Sequence, residues 1–322
     1  RNNGATIVIS QEEKGIDVIK LTDKDYFKIY SHLCSSFYNK KPKNIIAVTG
    51  TNGKTSVTDF CRQIWSFYGL KSASIGTLGI RETSEKYYHK IRNNLTTLDS
   101  SELNKQLSKL YDKQISYVAL EASSHGINQN RLDGINFNGA VFTNLSHDHL
   151  DYHKNMENYF SAKMKLFTEY LKDGTCVSIN LDDQYGMELY NKIKTKNFKF
   201  VNFGFNEKCE LKLIQIKKIE KIWQLEILYK NKLYKTDIGL VGHFQIYNAL
   251  AAASICLGLG LKQDSIFKSL SYLQTVPGRM QIVNHPLCKA TIIVDYAHTP
   301  NCLLYTSPSP RDQRGSGIPS YG

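Results

Sequence analysis

Between Asn44 and Leu171 short apolar runs alternate with segments whose apolar positions recur every three or four residues. The runs Asn44–Thr49, Ser72–Ile75, Tyr117–Glu121 and Ala140–Thr143 predict strands; Lys54–Tyr68, Ser100–Tyr111 and Glu157–Leu171 predict helices. Such alternation predicts a mostly parallel sheet with helices on both faces, so ligands belong at the carboxyl ends of the strands. Ahead of this unit, residues 5–9 (ATIVI) and 16–19 (IDVI) read as short strands and Asp23–Tyr38 as an amphipathic helix. The polar connection Asn39–Lys43 then marks a domain boundary. Behind the unit, LKLIQIKKI, WQLEILY and KLYKTDI, within residues 209–238, predict antiparallel hairpins, and His243–Leu259 predicts a helix. A second boundary falls near Pro277-Gly278, because Thr291–Asp295 (TIIVD) starts a fresh buried strand.

Composition narrows the class. With 322 residues, 41% of them hydrophobic, the chain can bury one large core or two ordinary ones. It contains no apolar run of about eighteen residues, and its N-terminus has neither the basic start nor the apolar stretch of a signal peptide, so a soluble protein with no membrane partner is expected. The seven cysteines are scattered, odd in number and without a CxxC pair, which points to a reducing cytoplasm rather than a disulfide framework or structural zinc. The formal charge of +12 would suit nucleic acid, an acidic surface or a polyanionic small molecule. Its lysines are spread beside many Asn, Ile and Tyr, and its aromatics do not interleave with Arg, so no nucleic-acid partner is expected. The start at Arg1 suggests an incomplete chain, and the abrupt Ser/Pro/Arg/Gly composition of residues 304–322 suggests a disordered or non-native tail.

The densest chemistry begins at Gly50-Thr-Asn-Gly-Lys-Thr55, between a predicted buried strand and a helix. Gly50 and Gly53 would let backbone amides close around an anion at the positive end of the helix, with Lys54 reaching outer phosphates and the Thr55 hydroxyl on Mg²⁺. A nucleoside triphosphate is the expected ligand. Val48 stands where the commoner phosphate-loop pattern has glycine. Glu121, an acid at a neighbouring strand end, is a candidate oxygen ligand for Mg²⁺. Ser123, Ser124, His125, Gln129 and Arg131 follow on an expected loop, where Arg131 could clamp a second anion, although each also fits an ordinary loop residue. His147, His149 and Asp151 admit a second reading, a dinuclear zinc hydrolase, but Tyr152 displaces the final histidine from that pattern. Lys163 and Lys165 share a helix, and spacing alone does not single out either.

Together, in this order, TGTNGKT (49–55), LTT (95–97), EASSHG with QNR (121–131), FTNLSHDHLDYH (142–153), AKMKLF (162–167), GHFQIYNALAA (242–252), GRMQ (278–281) and VDYAHTP (294–300) resemble the Mur ligases of bacterial cell-wall synthesis. The likeness is to the MurE type rather than to relatives such as folylpolyglutamate synthase. It runs from Lys43 to Pro300, departing at Leu95, where asparagine is usual, and at Gln281, where glutamate is common.

The resemblance implies an α/β fold whose central sheet belongs to a phosphate-loop ATPase domain, in a monomeric, cytoplasmic, ATP-dependent amide ligase. It divides the chain into the end of an N-terminal UDP-substrate domain (1–42), the central ATPase domain (43–276) and the start of a Rossmann-like amino-acid-binding domain (277–303). The implied reaction joins meso-diaminopimelate, or alternatively L-lysine, to UDP-N-acetylmuramoyl-L-alanyl-D-glutamate through an acyl phosphate, though a chain ending near residue 304 could be an inactive nucleotide-binding fragment. By motif position, Thr51, Asn52, Gly53, Lys54, Thr55 and Ser56 would surround the triphosphate. Asn248 would contact adenine, and Arg279 and Asp295 would close over the nucleotide. Thr96, Thr97, Ser124, Gln129 and Arg131 would bind the muramoyl peptide. Of two Mg²⁺ ions, Thr55 and Glu121 would hold one, and His149 the other with Lys163, which in this family carries a CO₂-derived carbamate. His298 matches a motif residue without a firm role.

Overall fold

A computed structural model describes residues 8–10, 18–20, 23–85, 87–90, 95–283, 292–297 and 303. The tail from 304 to 322, His298 and most of the expected strand positions at 5–9 and 16–19 lie outside the described residues.

The chain opens with β1 (Val8–Ser10) and β2 (Val18–Lys20), paired in parallel, then α1 (Asp23–Phe37). The central unit follows as β3 (Asn44–Thr49), α2 (Lys54–Phe67), β4 (Ser72–Gly76), β5 (Gly79–Glu82), α3 (Ser100–Asp112), β6 (Tyr117–Glu121), α4 (Ser124–Asn128) and β7 (Gly139–Phe142). It continues with α5 (Leu150–His153), α6 (Met156–Lys165), a π-helical extension (Leu166–Tyr170), β8 (Cys176–Ile179), α7 (Gln184–Ile193) and β9 (Lys199–Phe200). Seven strands form one sheet in the order β5-β4-β6-β3-β7-β8-β9, parallel throughout except that β5 turns back against β4. A second sheet packs beside it: β10 (Phe203–Gly204), β11 (Leu211–Ile219), β12 (Ile222–Tyr229) and β13 (Lys232–Ile238), followed by α8 (Phe244–Gly258) and α9 (Gln263–Leu270). Last come β14 (Gln281–Val283) and β15 (Ile292–Val294), an antiparallel pair.

Side chains alternate faces along a strand, and β3 is apolar on both. Ile46 and Val48 enter a core with Phe60, Ile64 and Trp65 of α2, the apolar face of α8, and inward residues of β11–β13. Ile45 and Ala47 enter the opposite core, filled by Leu103 and Leu107 of α3, Ile127 of α4, Phe160 of α6 and Leu189 of α7. β3 is therefore sandwiched, and its carboxyl end projects into the crevice between the two helical layers. Asp99, Asn155 and Asp183 cap α3, α6 and α7 by accepting backbone N–H bonds, a use of short polar side chains that fixes where each helix begins.

Register then places the chemistry. Val48 pairs with Glu121, so the glutamate stands level with the end of the strand that feeds the phosphate loop. Thr49 pairs with Phe142, which sets Thr143 and Asn144 beside Gly50.

The structure departs from the pattern reading in several places. The expected loop after Glu121 folds as the short helix α4, with the Ser123 hydroxyl accepting from Gly126 N. The elements α5, β5, β8, α7 and α9 carry too short or too mixed a pattern to have been foreseen. The strand expected to be buried at Thr291–Asp295 is instead exposed over Ile292–Val294, because only β14 pairs with it and no described element covers the pair.

Candidate functional site

The loop between β3 and α2 is shaped by its glycines. Gly53 lies in the left-handed region at φ 87°, and a Cβ there would run into the Asn248 carboxamide. At Gly50, φ 146°, a Cβ would strike the Thr143 hydroxyl. Only glycine fits such a conformation with neighbours this close.

The loop is stitched to the segment after β7. Thr51 N donates to Asn144 O at 2.8 Å, Asn52 N to Asn144 Oδ1 at 3.0 Å, and Thr143 Oγ1 to Asn52 O at 2.6 Å. Ser146 N donates to Thr51 Oγ1 at 3.0 Å. Thr143, Asn144 and Ser146 hold the loop in place but were given no role from the sequence, although they stand in the motif FTNLSHDHLDYH.

Lys54 Nζ folds back onto the loop, donating to Gly50 O at 2.9 Å and Thr51 O at 2.7 Å. Lys163, from α6, donates to the same Gly50 O at 2.8 Å and is 1% exposed. Burial, then repulsion from Lys54, pushes the Lys163 amine well below the usual lysine range. Its Nζ lies 4.6 Å from the centre of the Tyr159 ring.

Glu121 is buried, and its carboxylate accepts from Thr77 N at 2.9 Å and Thr77 Oγ1 at 3.1 Å. Gly76 makes room for it, since a Cβ there would overlap the carboxylate. Thr77 Oγ1 also lies 3.1 Å from Thr96 Oγ1. Thr97 points elsewhere: its hydroxyl donates to Glu121 O at 2.8 Å and accepts from Ser123 N at 2.8 Å. The two threonines of the LTT motif thus part, one toward the cleft and one into the scaffold.

A cleft of about 590 Å³ gathers Thr51 through Ser56, Thr96, Glu121, His149, Asn248, Arg279 and Asp295. Thr97, Ser124, Gln129, Arg131 and Lys163 are not among its lining residues. Ser124 Oγ is held by His153 Nε2 at 2.9 Å, and Gln129 Oε1 by Arg131 Nη2 at 2.5 Å, while Arg131 Nη1 donates to Thr97 O at 2.7 Å. Arg279 Nη2 reaches across to Thr55 Oγ1 at 3.3 Å, and Asp295 Oδ1 accepts from Met280 N at 3.2 Å on Arg279's own side. At the far end His243, Tyr247 and Asp182 also line the wall, Asp182 accepting from Tyr247 OH at 2.9 Å.

His149 adopts φ 51° at the start of α5, with Nε2 3.5 Å from Asp148 Oδ2. Burial lowers its pKa, with Lys54 and Lys163 adding to the fall and Asp148 opposing it. The zinc-hydrolase reading finds no counterpart here: no group of three or more His, Cys, Asp or Glu residues among the described residues is placed to hold a metal ion. His149 instead packs edge-on to His125 at 5.1 Å, and His153 turns to Ser124. No helix among the described residues is long and apolar enough to cross a membrane.

A glycine loop leaving the central strand of a parallel sheet, a Lys-Thr pair opening the next helix and an acid on the adjacent strand define a phosphate-loop α/β domain. The Mur ligase middle domain matches residues 48–256. The chain belongs to the Mur ligase family.

Among similar proteins are the UDP-N-acetylmuramoyl-L-alanyl-D-glutamate--2,6-diaminopimelate ligases of Rhizobium meliloti (strain 1021), 36% identical over 96% of this chain and 63% of the relative, and of Rickettsia bellii (strain RML369-C), 36% identical over 93% and 62%. A solved structure of a ligase with that name superposes with a TM-score of 0.79 at 29% identity, covering 94% of this chain and 61% of that one. A MurF ligase from Thermotoga maritima, in complex with ADP, shares the fold at TM-score 0.67 and 18% identity, covering 95% and 65%. The chain thus spans about 60% of the length of the curated relatives it matches.

Proposed function

We propose that the chain supplies the catalytic centre of an ATP-dependent amide ligase of the MurE type, which joins meso-diaminopimelate to UDP-N-acetylmuramoyl-L-alanyl-D-glutamate. The observation that carries this reading is one cleft in which the glycine loop, Lys54, Thr55 and Glu121 face His149. The relatives named for that reaction support the choice of substrate. L-Lysine is the alternative amine.

The donor set fits a metal–nucleotide complex. Gly50 and Gly53 leave a cradle that a Cβ would fill, and Glu121 with Thr55 would hold one Mg²⁺ through hard oxygen atoms. Lys163 fits a carbamate, because its depressed pKa favours the neutral amine: R–NH₂ and CO₂ give R–NH–COO⁻ and a proton. That group and His149 would hold a second Mg²⁺. Bound Mg²⁺ supplies positive charge between two anionic reactants.

The chain's own residues do the rest. The loop amides and Lys54 orient the γ-phosphate toward the D-glutamate carboxylate, which attacks it to form an acyl phosphate and release ADP. Thr96 and Glu121 both line the cleft, where the acyl group would sit; Ser124, Gln129 and Arg131, which do not line it, would bind the muramoyl peptide beyond it. Arg279 and Asp295 close the nucleotide side, excluding water from the acyl phosphate until the amine attacks the carbonyl and expels phosphate. Residues 1–42 and 277–303 belong, on this reading, to flanking substrate and amino-acid domains of a monomeric, cytoplasmic enzyme.

The test is phosphate release from ATP by a protein of the relatives' full length that contains this chain. Release is expected to require the UDP-muramoyl dipeptide and a diamino acid, with meso-diaminopimelate and L-lysine assayed in parallel. Lys54→Ala is expected to lower turnover at least about a hundredfold. Turnover that survives in that variant, or that ignores the muramoyl peptide, overturns the reading.

A further inference from the structure

Tyr159 of α6 is fully buried, yet it carries a hydroxyl, which is costly in an apolar core unless the group finds a partner. Its partner is the phosphate loop: the phenol oxygen lies 3.2 Å from Thr51 Oγ1. Every hydrogen-bonding group at this point is satisfied in one arrangement. A threonine hydroxyl has one proton and two lone pairs. Ser146 N fills one lone pair at 3.0 Å, and the Thr51 proton points to Ser146 O at 3.2 Å. That arrangement leaves the remaining lone pair open to the Tyr159 proton, either oxygen of the pair being a possible donor. Burial raises the phenol above its usual range, so the proton stays available.

The ring serves different neighbours. One face lies against Lys163 Nζ, and the His153 imidazole packs against it at 5.0 Å and 33° while holding Ser124. Hydroxyl and ring can thus be separated by substitution.

We propose that Tyr159 is a positioning residue for the phosphate loop: its hydroxyl locks Thr51 in the conformation that receives the triphosphate. The loop then does not have to be ordered when nucleotide arrives, and affinity gains accordingly. This rests on the reading of the loop as the ATP site.

The experiment measures the Kd of a magnesium-bound, non-hydrolysable ATP analogue by calorimetry on the 322-residue chain. Tyr159→Phe keeps the ring and removes only the donor; it is expected to weaken binding about three- to tenfold, the scale of one hydrogen bond. Thr51→Val removes the acceptor and is expected to weaken binding by at least as much. In the double variant Tyr159→Phe should add less than about twofold to Thr51→Val, because the two act through one bond. A merely structural tyrosine would instead give the same factor on both backgrounds, and that additivity overturns the proposal, as does an unchanged Kd in folded Tyr159→Phe. Should Tyr159→Phe fail to fold, Thr51→Val decides alone, with unaltered affinity counting against the lock. No binding by the unsubstituted chain would overturn the reading of the loop, and the proposal with it.

Discussion

His153 shows how one buried side chain makes stability depend on pH. Burial, then the nearby His125 and Lys163, lower its pKa to about 4, whereas an unfolded histidine titrates near ~6.5. Between those values the unfolded chain binds a proton that the native chain refuses, so stability is full above about 6.5 and is lost as pH falls toward 4. Replacing His153 by Gln keeps a hydrogen-bonding group for Ser124 and removes the titration. The unsubstituted chain is therefore expected to lose Tm more steeply than His153→Gln between about pH 6.5 and 4.5; parallel curves would show that this imidazole does not set the dependence. At this scale the sequence was least informative. Lys163 looked like any helical lysine because the carbonyl it bonds, Gly50 O, lies 113 positions away, and Thr97 looked like Thr96 because adjacency does not reveal which way each side chain turns.

At the scale of elements, strands β3 and β6 were legible to the residue, Asn44–Thr49 and Tyr117–Glu121, since strands buried on both faces are continuous apolar runs. β5 was not: it is a four-residue edge strand, GIRE, with too few positions to show a period. β8 (CVSI), also four residues long, failed for the same reason. What the elements add is register. β4 pairs with β6 up to Ile75 and Leu120, which brings Gly76 against Glu121. No positive φ is recorded at Gly76, so the need for glycine there is steric alone. Gly76→Ala should push its methyl into the Glu121 carboxylate, which is buried and tied to Thr77, at a cost of about 1–3 kcal/mol for overpacking. Urea titration should show that loss, together with weaker magnesium dependence of nucleotide binding. Full stability with an unmoved Glu121 would mean the strand ends have slack that the register denies them.

Across the whole molecule, the loop was legible because its parts are contiguous, whereas the rest of the cleft is assembled from residues between Thr77 and Ala297 that only the fold brings together. That assembly makes nucleotide a reporter of global folding. The cleft draws on the loop after β3, on α2 and α8 of one core, and on β6 and the segment after β7, so unfolding either core destroys it. A ligand that binds only the native chain stabilises it by RT ln(1 + [L]/Kd), about 2.7 kcal/mol at a hundredfold excess over Kd. For a chain of this length that corresponds to a rise in Tm of about 4 °C. A magnesium-bound ATP analogue is expected to produce this shift in one cooperative transition, growing with the logarithm of ligand concentration, while Lys54→Ala shows none over the same range. Two transitions, of which nucleotide moves only one, would mean that the two cores unfold separately and that the cleft belongs to one of them.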